Sequence, residues 1–410
     1  MTDAANAPAS APLPLPTGPA SANRRDFLKV AGATAGAAAL GAGLAGQAAL
    51  APSAYAAGSE TIRVGLVGCG GRGTGAAVQA ANAGPGIKIV ALADMFPDRV
   101  EKAKKTLGNE LGERFDVKPD RCYTGFAGAK NLIDSEVDVV LLCTPPHFRP
   151  AHIKYAVEKG RHIFAEKPCA VDGPGVRAVL AACEEAKKKN LAVVSGLCWR
   201  YDPAKREVIK RVQEGAVGDI VAMHCSYNTG TLWHRERQPE WSDMEWQLRN
   251  WLYFTWLSGD HNVEQHVHSL DKMAWAMGNV YPVKAVGMGG RQVRTDPKFG
   301  HIFDHHAVVY EWASGVKLFS FCRQMAGCAN DVTDHVMGTK GTAAVMANSI
   351  KGETNWKYSG PGGEMYQVEH NELFASIRAG KPINDGDWMA KSSLMGIMGR
   401  MATYTGQVIT

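Results

Sequence analysis

Residues 68–73 read Gly-Cys-Gly-Gly-Arg-Gly, and their surroundings constrain the fold more than any other stretch of the chain. A short apolar run at 61–67 predicts a β-strand leading into them. An Ala-rich run predicts a helix over 74–83. A second apolar run, Ile-Lys-Ile-Val-Ala-Leu-Ala, then ends in Asp94. Strand, G-x-G-x-x-G, helix, strand and acid together make the dinucleotide-binding fingerprint, where a lone glycine motif would be generic. Gly68 permits the tight turn, and Gly70 and Gly71 let backbone approach a pyrophosphate at the helix N-terminus. Gly73 allows close helix–strand packing. Asp94 lies 21 residues beyond Gly73. A carboxylate there accepts the adenosine ribose hydroxyls and repels a 2′-phosphate, so NAD is expected ahead of NADP. Arg72 and Arg99 are near enough in sequence to keep NADP as the second choice.

Strands are expected again at 137–143, 161–165 and 192–196, with a helix over 151–159 between the first two. This reads as an α/β fold whose first half is a doubly wound parallel sheet. Its ligands then belong at the carboxyl ends of the strands. Thr144, Pro145 and His147 stand at one such end, and Glu166 and Lys167 at the next. All five join Gly68, Gly70, Gly71, Arg72, Gly73 and Asp94 as candidate cofactor-binding residues. Strand-like runs at 220–227, 283–289, 307–312 and 316–321, a turn at 338–345, and helices at 369–379 and 389–405 fill the second half.

Ahead of these lies Asn-Arg-Arg-Asp-Phe-Leu-Lys at 23–29, a twin-arginine export signal. The Ala/Gly-rich stretch 30–51 and the small-x-small site at Ala54-Tyr55-Ala56 follow it, so the mature chain should begin near Ala57. An uncleaved anchor fits less well, because the stretch is poor in Leu, Ile and Phe. Apolar content of 45%, 21% charged residues and a net charge of +5 describe a globular protein with no basic block suited to nucleic acid. The nine cysteines are scattered without metal-knuckle spacing, and an odd number is no disulfide framework.

Val-Gly-Cys-Gly-Gly-Arg-Gly, Thr-Pro-Pro-His, the run from Ala151 to Glu-Lys-Pro at 166–168, and a later acid-x-x-x-His resemble the Gfo/Idh/MocA oxidoreductase family. The resemblance covers essentially all of 60–400. It implies a Rossmann NAD-binding domain (60–197) behind the leader (1–56). A C-terminal α/β domain with an open, mostly antiparallel sheet (198–410) follows, and such a sheet often serves as an oligomer interface. It further implies a chain running somewhat beyond Thr410. Lys167 matches the family's catalytic lysine, which accepts the alcohol proton as hydride leaves for the nicotinamide. Glu264 and His268 match the acid and histidine pair, with Glu in place of the usual Asp. The implied activity is NAD(P)-dependent oxidation of a sugar or glycoside hydroxyl by an exported homo-oligomer. A glycosidase working through transient oxidation is the alternative.

If residues 259–271 are helical, Asp260, Glu264, His268 and Asp271 share one face and His266 points away. His261, His266, His268 and Glu264 could all ligate metal, but they share no face and H-E-x-x-H is absent, so no metal is assigned. The cluster His301, Asp304, His305 and His306 is left without a role. Five of the ten tryptophans fall between 233 and 256. Aromatic faces stack on sugar rings, which makes Arg249, Trp251 and Tyr253 substrate candidates with Arg200, Tyr201 and His261. Packing within an insertion explains the tryptophans equally well.

Replacing Arg24 and Arg25 together by lysine preserves charge but not guanidinium geometry. Export should cease, and unprocessed precursor should collect in the cytoplasm on fractionation. Normal periplasmic accumulation would show a different route.

Overall fold

The computed structural model describes residues 61–410; the leader and its cleavage site lie outside the described residues. Six parallel strands form the first sheet: β1 (Ile62–Val67), β2 (Ile87–Asp94), β3 (Cys122–Thr124), β4 (Val139–Leu142), β5 (His162–Ala165) and β6 (Val193–Ser195). Their order is β3-β2-β1-β4-β5-β6. The crossovers are α1 (Gly71–Asn82), α2 (Pro97–Leu111), α3 (Gly128–Asp134), α4 (Arg149–Glu158) and α5 (Gly173–Lys188). The central strands read as unbroken apolar runs because helices cover both faces of a parallel sheet. Ala91, Val140 and Ile163 pack into one layer and Leu66, Leu92 and Leu141 into the other. The order reverses between β1 and β4, which opens a crevice at their carboxyl ends.

Beyond α6 (Pro203–Gln213) comes β7 (Ile220–Thr229), the axis of the second sheet. The chain then makes four helical pieces, α7 (Asp243–Arg249), α8 (Thr255–Ser258), α9 (His261–Glu264) and α10 (Val267–Ala276). The remaining strands are β8 (Lys284–Gly290), β9 (His305–Glu311), β10 (Lys317–Gln324), β11 (Asp331–Gly338), β12 (Gly341–Ala344), β13 (Ser349–Gly352) and β14 (Trp356–Lys357). Only the β7–β10 pair is parallel; every other pairing is antiparallel. The expected α/β architecture, a parallel nucleotide-binding half followed by a mostly antiparallel sheet, is the one observed. Along β10, exposed and buried residues alternate. Leu318 faces a core built with α6, α10 and α12 (Gly386–Thr405) and Cys322 is buried beside Asn262, while Phe319 and Phe321 face outward.

Three sequence expectations change. Residues 338–345 are more than a turn, because Gly341–Ala344 forms β12 and the turn is confined to the residues between it and β11. Strand β11 was not foreseen; its polar start, Asp-Val-Thr-Asp, hides a partner of β7. Residues 259–271 are not one helix. Asp260 has φ +77°, and His266 N–H bonds to the His261 carbonyl, five residues back instead of four. That wider loop separates α9 from α10 and shifts the phase of everything after it.

The last two helices, α11 (Met365–Arg378) and α12, return to the first sheet: α11 packs on α1 and α12 on α5. Val193 N–H donates to the Ile383 carbonyl, and Asp385 N–H donates to the Val193 carbonyl, so residues 383–385 seal the free edge of β6. The Asp385 carboxylate accepts from Ser195 N–H at 2.9 Å and Tyr201 O–H at 2.6 Å. It is buried, and burial raises its pKa to about 6. Asp385→Ala leaves a buried N–H and a buried hydroxyl without acceptors. Chemical denaturation should show a loss of about 2–5 kcal/mol. A loss below the error of the measurement would show that water replaces the carboxylate there.

Candidate active site

The glycine loop is built by close contact. Gly68 has φ +101°, and a Cβ on it would stand 2.6 Å from the Cys143 carbonyl carbon. A Cβ on Gly73 would stand 1.8 Å from the Gly68 carbonyl oxygen. Helix α1 begins at Gly71 with Gly70 as its N-cap and no side chain capping it. Its first N–H groups therefore face the crevice without a side-chain acceptor. Asp94, at the end of β2, accepts from Cys69 N–H at 2.7 Å and Phe96 N–H at 3.0 Å. Burial raises its pKa. Together these groups border a cleft of ≈ 380 Å³, lined by Gly68, Gly70, Gly71, Arg72, Gly73, Asp94, Thr144 and Pro145. The open N-terminus, the excluded Cβ positions and the rim carboxylate fit the pyrophosphate and ribose of a dinucleotide.

Residues 62–195, which supply most of the lining of this cleft, match the family described as "Oxidoreductase family, NAD-binding Rossmann fold", Gfo/Idh/MocA. Residues 62–195 thus carry that family's NAD-binding domain. Residues 21–41 match the twin-arginine translocation signal, which directs export by that pathway. Among curated relatives, inositol 2-dehydrogenase 3 of Saccharopolyspora erythraea is 26% identical over 287 residues, 69% of this chain and 72% of that one. Glycosyl hydrolase family 109 protein 1 of Bacteroides thetaiotaomicron is 28% identical over 218 residues, 52% of this chain and 45% of that one. The fold is shared with levoglucosan dehydrogenase bound to NADH and levoglucosan. The TM-score is 0.67 at 18% identity, covering 85% of this chain and 99% of that one.

In this oxidoreductase, Lys167 follows β5 and reaches the second half. Its Nζ donates to the Glu264 carboxylate at 2.9 Å and to the Glu264 backbone carbonyl at 2.6 Å. Burial, then the positive charges of Lys167 and Lys272, hold the His268 pKa well below that of an ordinary histidine. Its Nδ1 has no hydrogen-bond partner among the described residues. The structure thus brings Lys167, Glu264 and His268 together although α9 and α10 are separate helices. Tyr227 on β7 joins this group; burial and the Glu264 charge raise its pKa.

Other expected site residues turn inward. Arg72 lines the cleft, but its guanidinium donates to Glu166, Gln79 and Glu369 and stacks on Tyr366. Glu166 is correspondingly engaged, with its second oxygen on Lys167 N–H. His147 packs edge-on against Phe148 and Trp256, outside the lining of the cleft. Arg200 grips Asp271 through two nitrogens and lies against Trp388. Tyr201 is bound to Asp385, and the Tyr253 hydroxyl donates to the carbonyls of Leu232 and Trp233. Arg249 is paired with Asp98 and Glu245. Of the six substrate candidates, Trp251 alone lines the cleft.

His261 is fully buried beside Asp260 and His306, the one group of three side chains with metal-ligand geometry among the described residues. The Asp260 carboxylate there accepts from Phe303 N–H, His261 N–H, His306 and the Tyr404 hydroxyl. With that many donors on one carboxylate, the cluster works as a hydrogen-bonded joint between α9, β9 and α12.

The sequence reading missed Arg149, fully enclosed in the fold. It donates to the carbonyls of Thr144 and Pro168 and so ties two strand-end loops together. Nothing in Phe-Arg-Pro marks it. The reading also missed Phe96, Trp233 and Arg235 as cleft residues.

Burial lowers the pKa of His152, His162 and His261 to about 4, and those of His266, His268 and His370 fall as well. Between the unfolded value near 6.5 and the depressed folded values, the unfolded chain binds more protons than the native one. Each histidine then removes up to about 1.4 kcal/mol per pH unit as pH falls. Asp94, Glu369 and Asp385, with raised values, oppose this with fewer groups. Denaturant midpoints should drop steadily from pH 7 to pH 5. A flat profile would mean that these imidazoles are protonated in the native state.

Proposed function

We propose that this exported oxidoreductase transfers hydride between a ring hydroxyl of a sugar or glycoside and a nicotinamide cofactor that it keeps bound, with NAD preferred. The observation carrying this reading is the Lys167–Glu264 pair beside a neutral His268, next to the dinucleotide cleft. When bound, the nicotinamide supplies a two-electron hydride acceptor. The chain's own groups handle the proton. Lys167 has three N–H donors, and two are held by Glu264, which leaves one for a substrate oxygen. That donor orients the hydroxyl. His268, held neutral by burial, offers a nitrogen to take its proton, and Lys167 shares the proton path. Inositol and levoglucosan dehydrogenases among the similar proteins support a polyol or sugar substrate. The row of exposed Phe319, Phe321 and Met288 on the second sheet is the surface we assign to self-association.

A second reading rests on the glycosyl hydrolase relatives. There the same groups would remove a proton, allow elimination and water addition, and return the proton. Net redox change separates the two. Incubation with aryl glycosides should reduce the cofactor without releasing aglycone; catalytic aglycone release without net reduction would favour hydrolysis.

Lys167→Met should lower turnover by about 10²–10⁴-fold with cofactor affinity little changed. His268→Ala should fall similarly. The double variant should lose less than the product of the two, because both lie on one proton path. Near-normal turnover of Lys167→Met on the true substrate would remove the lysine from the mechanism.

A further inference from the structure

Residues 231–238 run between β7 and α7 with neither helix nor strand, yet part of this strap is pinned at every residue from 232 to 235. The Tyr253 hydroxyl donates to the carbonyls of Leu232 and Trp233. The His234 ring bonds the Lys298 carbonyl. Asn250, fully buried, clasps Arg235 from both sides: its Oδ1 accepts from Arg235 N–H at 2.9 Å, and its Nδ2 donates to the Arg235 carbonyl at 3.1 Å. Such a clasp uses both polar groups of a buried amide on one residue's backbone and fixes where that residue stands. Trp233 and Arg235, two apart along the strap, both line the dinucleotide cleft.

Four arginines reach this cleft or its rim. Arg72 and Arg249 are engaged by carboxylates. Arg99 and Arg235 also line the cleft, and neither has a carboxylate partner among the described ion pairs. Arg99 comes from the first turns of α2, with Nη1 3.3 Å from where a Cβ of Gly70 would stand. It therefore lies over the glycine loop. Arg235 rests on the Trp233 ring, 5.5 Å from its centroid. Burial and then the positive charges of Arg99 and Arg249 lower its pKa. Two guanidiniums held near one another without an anion repel, and the strap's anchoring keeps them there.

Resting on the oxidoreductase reading above, we propose that the strap is a wall of the dinucleotide site. In this proposal Arg235 and Arg99 form a two-guanidinium receptor for a phosphate of the dinucleotide, either the bridging pyrophosphate or a ribose 2′-phosphate. Guanidinium presents a planar fork of donors suited to phosphate oxygens. A receptor made by both halves of the chain binds dinucleotide at full strength only when the second half is in place.

The test is equilibrium titration of the full protein, freed of carried-over nucleotide, with NAD and with NADP, followed by protein fluorescence. Wild type, Arg235→Met, Arg99→Met and Arg235→Lys are compared after matching their thermal melts. Losing a hydrogen bond to a charged group should weaken binding by about tenfold to a hundredfold. If both dinucleotides weaken in Arg235→Met and Arg99→Met, the receptor holds the pyrophosphate. If NADP alone weakens, it holds the 2′-phosphate. In either case Arg235→Lys should fall between wild type and Arg235→Met. Unchanged affinity for both dinucleotides in Arg235→Met overturns the proposal while leaving the oxidoreductase reading intact. Wild type that binds neither dinucleotide overturns that reading and the receptor with it.

Discussion

One ion pair joins the two halves of this molecule at the site proposed for its chemistry. Lys167 stands at the end of a strand in the first sheet, and Glu264 ends a one-turn helix in the second half. Their side chains are about one-seventh exposed, so the pair is shielded but not sealed. Its geometry is only as good as the placement of Glu264. That placement descends from Asp260, four residues earlier, which sits at φ +77° in a region unfavourable for any residue but glycine. What holds it there is its carboxylate, which gathers donors from α9, from the loop at Phe303, from β9 and from α12. Backbone strain at one residue is thus balanced by hydrogen bonds from distant segments, and the benefit appears at Glu264.

The first sheet is braced in the same way. Arg72, inside the glycine loop, lines the cleft but turns its guanidinium back to bridge Glu166 of the strand end and Glu369 of α11. A buried carboxylate such as Glu369, whose pKa burial raises, needs that cation. The loop that approaches a pyrophosphate is therefore steadied from behind by a helix some 300 residues later in the chain. Trp233 and Arg235 of the strap line the same cleft from the second half.

Local signals were legible in the sequence because local sterics produce them. The glycines, Asp94 and the strand-end loops follow from turns and periodicity; the four loop glycines, Arg72, Asp94, Thr144 and Pro145 line the cleft, while His147, Glu166 and Lys167 stand outside its lining. The grouping of Lys167 with Glu264 and His268 was reached through resemblance and not through periodicity. The helical-face argument fails at the five-residue backbone bond of His266. Charged and aromatic residues were harder to place because residue type does not reveal a partner. Arg200 looks like a substrate ligand until Asp271, 71 residues on, is seen to occupy it. Arg149 and Arg235 gave no signal at all, since their roles depend on carbonyls and an amide brought near only by the fold.

The seal on β6 bears on the order of events during synthesis. Strand β6 ends at Ser195, yet its outer edge is closed by backbone from 383–385, made almost two hundred residues later. Until the ribosome has released that segment, the nucleotide sheet presents an open edge, which invites pairing with other chains. Closure of the sheet therefore waits on backbone made long after the strand itself. For a chain bearing a signal for the translocase that carries folded cargo, the nucleotide half thereby gains its closed edge only once the second half has been made.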